Sequence, residues 1–439
     1  MQGAPARHRM VVALTAVLLI AAAAACTPRG EPDVGEDEAS PNGPDGPAEE
    51  PGEDADEEDV LDTLDTITAQ VAALRGLEPE EEIETELVAP DELEGILTDR
   101  DRDAEAIERL AASARVLTAL RHLEPHAELD TIIDELQSAT VVGLYDPHDE
   151  VAYVSSDVAP LGPAAATTAA HELVHALQDQ HFDLTRLDDI PADQADAAMA
   201  FLSVVEGDAV LLEEEWAATH QTEEEREEAG RDQLADAQRQ LAVLDDVPSY
   251  VVETFVFPYV AGERFVAALI EEGGYEAVDA ALEEPPTTTL EVLDPEAYMD
   301  GFQGQSIDAG SAPADDFEEV LSASFGAFDL LALFGSSTSD QGQAGSSTWP
   351  AWRAGALTGW ERGDELVVVG AWRFSDDERA EEACDALPAW YVDVADGQEI
   401  DDTAWQGDRD TFVRDCDGDE VNFALAPDAE LGRSALGLD

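Results

Sequence analysis

The sequence predicts an α+β chain: a mainly helical core with a short β-hairpin ahead of one particular helix, and a small α+β module at the C-terminal end. Three observations lead there. Long stretches repeat apolar residues at helical spacing, as in Val60, Leu61, Leu64, Ile67 and Val71. Two β-prone runs, residues 140–144 and 151–154, flank the turn Asp146-Pro147-His148-Asp149, which reads as a hairpin. Beyond Trp349 the pattern changes to a strand over 365–374, a serine-capped helix over 375–390 and strand-like residues over 411–426.

Taken in order, Arg7, His8 and Arg9 precede an apolar run over 10–25 that ends in five alanines before Cys26. The run is short for a mature membrane span and resembles a bacterial lipoprotein signal, which implies cleavage before Cys26 and a lipid on that residue; ordinary secretion is the alternative. Residues 26–59, rich in Pro, Gly, Glu and Asp, read as a disordered acidic tether. A helical region follows over 60–137, and then the hairpin. Pro163 opens a helix with Ala170, Leu173, Val174 and Leu177 on its core face. Residues 194–218 read as a buried helix, 223–240 as a solvated charged helix, and 255–272 as an amphipathic helix stopped by Gly273-Gly274. The expected division is signal 1–25, tether 26–59, a main domain over 60–302, a Gly/Ser-rich connection with one helix over 303–348, and the module 349–439. Trp349, Trp352, Trp360, Trp372 and Trp390 would line a ligand surface or, as is commoner, pack a core.

The chemistry concentrates in His171-Glu172-Leu173-Val174-His175. Histidines at i and i+4 share one helix face, roughly 5–6 Å apart at Cβ, so two ring nitrogens can meet one metal at about 2.0–2.1 Å. Glu172 is rotated by about 100° from His171, out of that row and toward a water beside the metal, the place for a general base. A third ligand is needed. Glu206, in the apolar stretch 199–212, is the main candidate, because an ionised carboxylate there is costly unless paired or bound to a metal. Gly207 would let its helix approach the histidine helix, and Asp208 or Asp179 would orient a ligand histidine from behind. The bland alternative puts Glu206 on a polar stripe with Asp208 and Glu213. His181 is the weaker candidate, since Gln178 stands where a glycine would have to turn the chain back.

The blocks HELVHALQDQHF and VVEGDA together resemble the gluzincin type of zincin metallopeptidase. That resemblance implies a zincin-like core, one zinc ion held by His171, His175 and Glu206, and Glu172 as base. Gly143-Leu144-Tyr145-Asp146-Pro147, Pro258-Tyr259 and Pro285-Pro286-Thr287-Thr288-Thr289 are similar to segments of exported bacterial proteins carrying the same pair of blocks. Relatives are expected to hold a glutamate and a histidine where this chain has Leu290 and Asp294, and no histidine follows His220. An oxyanion donor would then come from Tyr259 or Tyr298, with Tyr250, Tyr275 and Arg264 as further candidates. The resemblance also implies that a hairpin strand pairs with extended peptide.

The whole chain carries 102 acidic residues against 21 basic ones, all arginine, for a formal charge of −81. Only 14 of the acids fall in 27–59, so the excess belongs to the body of the protein, as expected of adaptation to high salt. The same field repels phosphate and excludes nucleic acid as a partner. Apart from Cys26 the cysteines are Cys384 and Cys416, expected as a disulfide in an exported chain or else as two buried thiols. The expected function is a membrane-tethered zinc metallopeptidase acting on peptide or protein substrates. A zinc-retaining envelope scaffold without activity is the alternative.

Overall fold

The computed structural model describes residues 55–438 except 90–91, 94, 97–103, 141–142, 156–160, 245–246 and 336–339. The expected signal, Cys26 and the tether up to residue 54 lie outside the described residues. The elements are α1 (Ala55–Arg75), β1 (Glu84–Val88), α2 (Ala104–Ala119), α3 (Leu129–Thr140), β2 (Gly143–Asp146), β3 (Val151–Ser155) and α4 (Pro163–Phe182). Then come α5 (Ala195–His220), α6 (Glu223–Leu244), α7 (Ser249–Gly273), α8 (Tyr275–Glu283), α9 (Thr289–Leu293), α10 (Pro295–Met299), β4 (Glu318–Ser324), α11 (Ala327–Phe334) and α12 (Asp340–Thr348). The chain ends with β5 (Trp352–Arg362), β6 (Glu365–Phe374), α13 (Asp377–Ala395), β7 (Gln398–Asp401), β8 (Ala404–Gln406), β9 (Thr411–Asp417), β10 (Glu420–Ala426) and α14 (Ala429–Ala435). The fold is α+β, with two separate sheets.

The first sheet has three strands in the order β1-β3-β2, β2 antiparallel and β1 parallel to β3. The hairpin forms as expected. Strand β1 does not fit the expectation of an all-helical stretch over 60–137: its Glu84-Thr85-Glu86-Leu87-Val88 is exposed along most of one side and buries little besides Val88, so no apolar alternation marks it. Beneath this sheet α1, α4, α5, α7 and α8 bury one core through Leu64, Val71, Leu173, Val174, Leu177, Phe201, Val205 and Phe265. Helix α7 begins six residues before its expected start and carries Pro258 in its interior, a residue that normally ends a helix because it lacks an N–H.

The second sheet has seven strands, β4-β5-β6-β10-β9-β8-β7. Alternate residues of its central strands face opposite sides. Val368, Trp372, Val421 and Phe423 meet α13 through Leu387 and Tyr391, whereas Val367, Val369, Ala424 and Ala426 meet Phe317 and Ala435. The connection expected over 303–348 therefore needs correction, because it supplies the edge strand β4 and packs Ala309 and Phe317 on the sheet. β4 has one neighbour, and its sequence Glu318-Glu319-Val320-Leu321-Ser322-Ala323-Ser324 neither alternates apolar with polar residues nor buries any of them fully, so it lacks a strand-like apolar pattern. Trp352, Trp372 and Trp390 are core residues, and Cys384 is disulfide-bonded to Cys416 with Cα atoms 6.5 Å apart.

Candidate metal centre

Helix α4 starts with Pro163 at its first turn and ends at Asp183, which adopts the left-handed conformation (φ 57°). Between these ends it is buried almost all round, and His171, Glu172 and His175 are 3%, 0% and 0% exposed. Charged groups this deep require partners. Helix α5 supplies one at Glu206, itself 1% exposed. Its Oε2 lies 3.5 Å from His171 Nε2 and 3.9 Å from His175 Nε2. One donor atom from each of the three residues falls within 4.8 Å of the others, the only such group among the described residues.

The outer nitrogens of both rings are occupied. His171 Nδ1 is 2.9 Å from Glu213 Oε2, and His175 Nδ1 is 2.8 Å from Gln178 Oε1. The inner atoms are bare: His171 Nε2, His175 Nε2, Glu206 Oε2 and Glu172 Oε1 are buried without hydrogen-bond partners. An unpartnered buried polar atom costs about 1–3 kcal/mol, so three such atoms converging from His171, His175 and Glu206, with a fourth on the adjoining Glu172, mark a place built to hold a ligand. Two imidazole nitrogens and a carboxylate oxygen are the donor set of a catalytic zinc site with a position left open. The residues fit the ion.

Charge points the same way. Burial pushes Glu172 up to about 8, with His171 opposing and Glu206 adding to the shift. Burial likewise raises Glu206, partly offset by His171. For His171 burial works against the charged form, but Glu206 and Glu213 outweigh it and raise its pKa well above the ordinary value. His175 is held well below the ordinary value by burial and by its neighbour His171. Three carboxylates, Glu172, Glu206 and Glu213, thus lie buried around His171, and a dication held there would offset their charge.

Glu172 is held from the strand side. Its Oε2 accepts the Tyr145 backbone N–H at 3.0 Å, and a Cβ on Gly143 would stand 3.3 Å from its Cγ. The outer edge of β2 therefore lies against the base. From α7, Tyr259 is 5% exposed and stacks at 6.3 Å on His171, and burial together with the charge of Glu206 raises its pKa well above the ordinary value. Among the five candidate donors, Tyr259 is thus the one placed beside the three candidate ligands. The Tyr298 hydroxyl donates to the Glu284 carbonyl, Tyr250 to Asp329 and Tyr275 to Glu215, while Arg264 is exposed.

Three expectations about supporting residues are corrected. Asp208 touches neither imidazole; it accepts from Gln178 and pairs with Arg75. Asp179 accepts the Tyr145 hydroxyl and the Leu184 N–H, tying the helix end to β2. Gly207 faces Gly262 of α7, not the histidine helix. His181 lies outside the cage, its Nε2 2.9 Å from the Glu78 carbonyl oxygen. The residues that hold the rings, Glu213 and Gln178, were missed. Glu213 stands seven residues, two turns, beyond Glu206 and so shares its face, a periodicity that marks it as a candidate. Compared with protein-family models, with curated proteins and with solved structures, the chain matches none.

Proposed function

We propose that this chain is a zinc-dependent metallopeptidase of gluzincin type with a zincin-like core, exported, anchored by lipid at Cys26 and adapted to high salt. The observation that carries the reading is the convergence of unpartnered buried atoms from His171, His175 and Glu206, beside a Glu172 whose Oε1 is likewise buried and bare. His171, His175 and Glu206 would hold the ion. Zinc, when bound there, supplies Lewis acidity toward a water and a scissile carbonyl.

The chain's own residues do the rest. Glu172 takes the proton of the attacking water on its bare Oε1 and passes it to the departing amine. Its other oxygen stays anchored to Tyr145 N–H, which fixes the carboxylate plane. Tyr259 donates from its hydroxyl to the carbonyl oxygen as that oxygen gains charge. A hairpin strand would pair with the extended peptide, the β-augmentation mode. A zinc-holding scaffold without activity is the second reading, favoured by the absence of any histidine after His220.

A peptide-library digest at multimolar salt, with and without chelator, separates the two. Chelator-sensitive cleavage that disappears in Glu172→Gln, with zinc content retained, is the expected result. Bound zinc without cleavage leaves the scaffold, and a chain that takes up no zinc ends both readings.

A further inference from the structure

We infer that Arg75, at the end of the first helix and a hundred residues before His175, is a positioning residue of the metal centre, acting on His175 through Asp208 and Gln178. The inference rests on the proposed metal site and deepens it.

The contacts form one buried line. Arg75 Nε donates to both Asp208 oxygens at 2.9 and 3.0 Å, and its Nη2 to Asp279 at 2.6 Å. Its guanidinium also lies 4.6 Å over the Tyr275 ring. Gln178 Nε2 donates to the same Asp208 at 2.9 Å and to the Val205 carbonyl at 3.0 Å. Gln178 Oε1 faces His175 Nδ1 at 2.8 Å. The side chains of Arg75 and Asp208 are 0% exposed, and so is Gln178.

The donor and acceptor inventory leaves one arrangement. Arg75 can only donate, so the Asp208 oxygens accept. The Val205 carbonyl can only accept. An amide has its two hydrogens on nitrogen, so Gln178 must turn that nitrogen toward these two acceptors and its oxygen toward the ring. His175 Nδ1 must then carry the hydrogen, and Nε2, the atom nearest Glu206, keeps its lone pair. A glutamine with both neighbours free could flip and present its NH2 to the ring, which would strip the lone pair from Nε2. Arg75 removes that option because its charge cannot be lost and it holds Asp208 as an acceptor. His171 reaches the same tautomer by a shorter route, through Glu213 alone. One helix that carries none of the expected ligands thus decides which nitrogen of a ligand is available.

Gln178→Met keeps the length and bulk of the side chain and removes both the acceptor and the donors. In the uniformly nitrogen-15-labelled, metal-free full chain, the His175 ring shifts should show a protonated Nδ1 and a bare Nε2. In Gln178→Met the ring should populate both tautomers. Zinc affinity, measured by chelator competition, should fall about 10- to 100-fold. Arg75→Met should move both readouts the same way; if it does not fold, Gln178→Met still decides the amide step. Asp208→Leu removes the acceptor that Arg75 holds and should shift the tautomer in the same direction, and a folded Arg75→Met or Asp208→Leu chain with the wild-type tautomer overturns the Arg75 end. An unchanged His175 tautomer and zinc affinity in Gln178→Met overturns the inference. A wild-type chain that binds no zinc overturns the proposed function instead, and the tautomer measurement stands apart from that outcome.

Discussion

Replacing Gly207 by alanine tests whether the metal centre depends on the crossing of α5 and α7. A Cβ on Gly207 would lie 2.2 Å from the carbonyl carbon and oxygen of Gly262 and 2.8 Å from Glu263 N, and one on Gly262 would lie 2.0 Å from the Ser203 oxygen. These are backbone atoms, so no rotamer change relieves the clash. Ordinary Cβ contacts begin near 3.4 Å, so the helices must part by about 1.2 Å. Overpacking of this kind costs roughly 1–3 kcal/mol, with the upper end expected where backbone meets backbone. Glu206 immediately precedes Gly207, and Tyr259 precedes Gly262 by one turn, so the same displacement moves a candidate ligand and its neighbour away from the histidines. A shift of about 1 Å exceeds the roughly 0.5 Å tolerance of a working site, and zinc affinity should drop at least about tenfold. Chelated and zinc-loaded protein would be unfolded in denaturant, and zinc affinity read by chelator competition. Gly230→Ala is the control: Gly230 is exposed on α6, nothing lies within 4 Å of the added Cβ, and the change should stabilise by up to about 1 kcal/mol. If Gly207→Ala stabilises as Gly230→Ala does and binds zinc as wild type does, the close crossing is not what positions Glu206.

Asp196, buried beside Thr289 and near Asp329, is pushed up to about 7 by burial, against an ordinary 3.8. Between those values the folded chain binds more protons than the unfolded one. Its stabilising contribution is therefore full below about pH 4 and lost as pH rises through about 7, to a limit of roughly 4 kcal/mol; Asp196→Asn should flatten that part of a stability profile, and an unchanged slope refutes the assignment. Cys384→Ser with Cys416→Ser opens a bridge spanning 32 residues and should cost roughly 3–4 kcal/mol by loop entropy, measured by denaturation against the oxidised parent. Tyr259→Phe should lower peptide turnover by about 10²–10³ if its hydroxyl meets the developing oxyanion, with zinc content unchanged; full turnover would remove Tyr259 from the chemistry.

How far the sequence speaks depends on whether a residue's role is local. His171, Glu172 and His175 lie within one helical turn and a fraction, so their shared face follows from periodicity. Glu206 stood out because a lone carboxylate in apolar surroundings conflicts with its context, and it is found between the two histidines. The hairpin, the strand over 365–374 and the following helix were legible for the same reason: turn chemistry and period are properties of neighbours. β1 and β4 were not, because each is held by hydrogen bonds to a partner distant in sequence and buries little that its own composition could advertise.

Gln178 shows the limit most sharply. In sequence it argued only against a turn at that position, since glutamine continues a helix well. Its function is set by what lies around it: two acceptors on one side, one of them fixed by an arginine from α1, leave its oxygen a single direction to face. Asp208, expected against a histidine, contacts Gln178 and Arg75 instead for the same reason, since its position on α5 does not reveal that Arg75 arrives beside it. A cluster able to hold a metal can thus be read from spacing, whereas the partners that orient its side chains depend on tertiary contact and become visible only when distant helices are brought together.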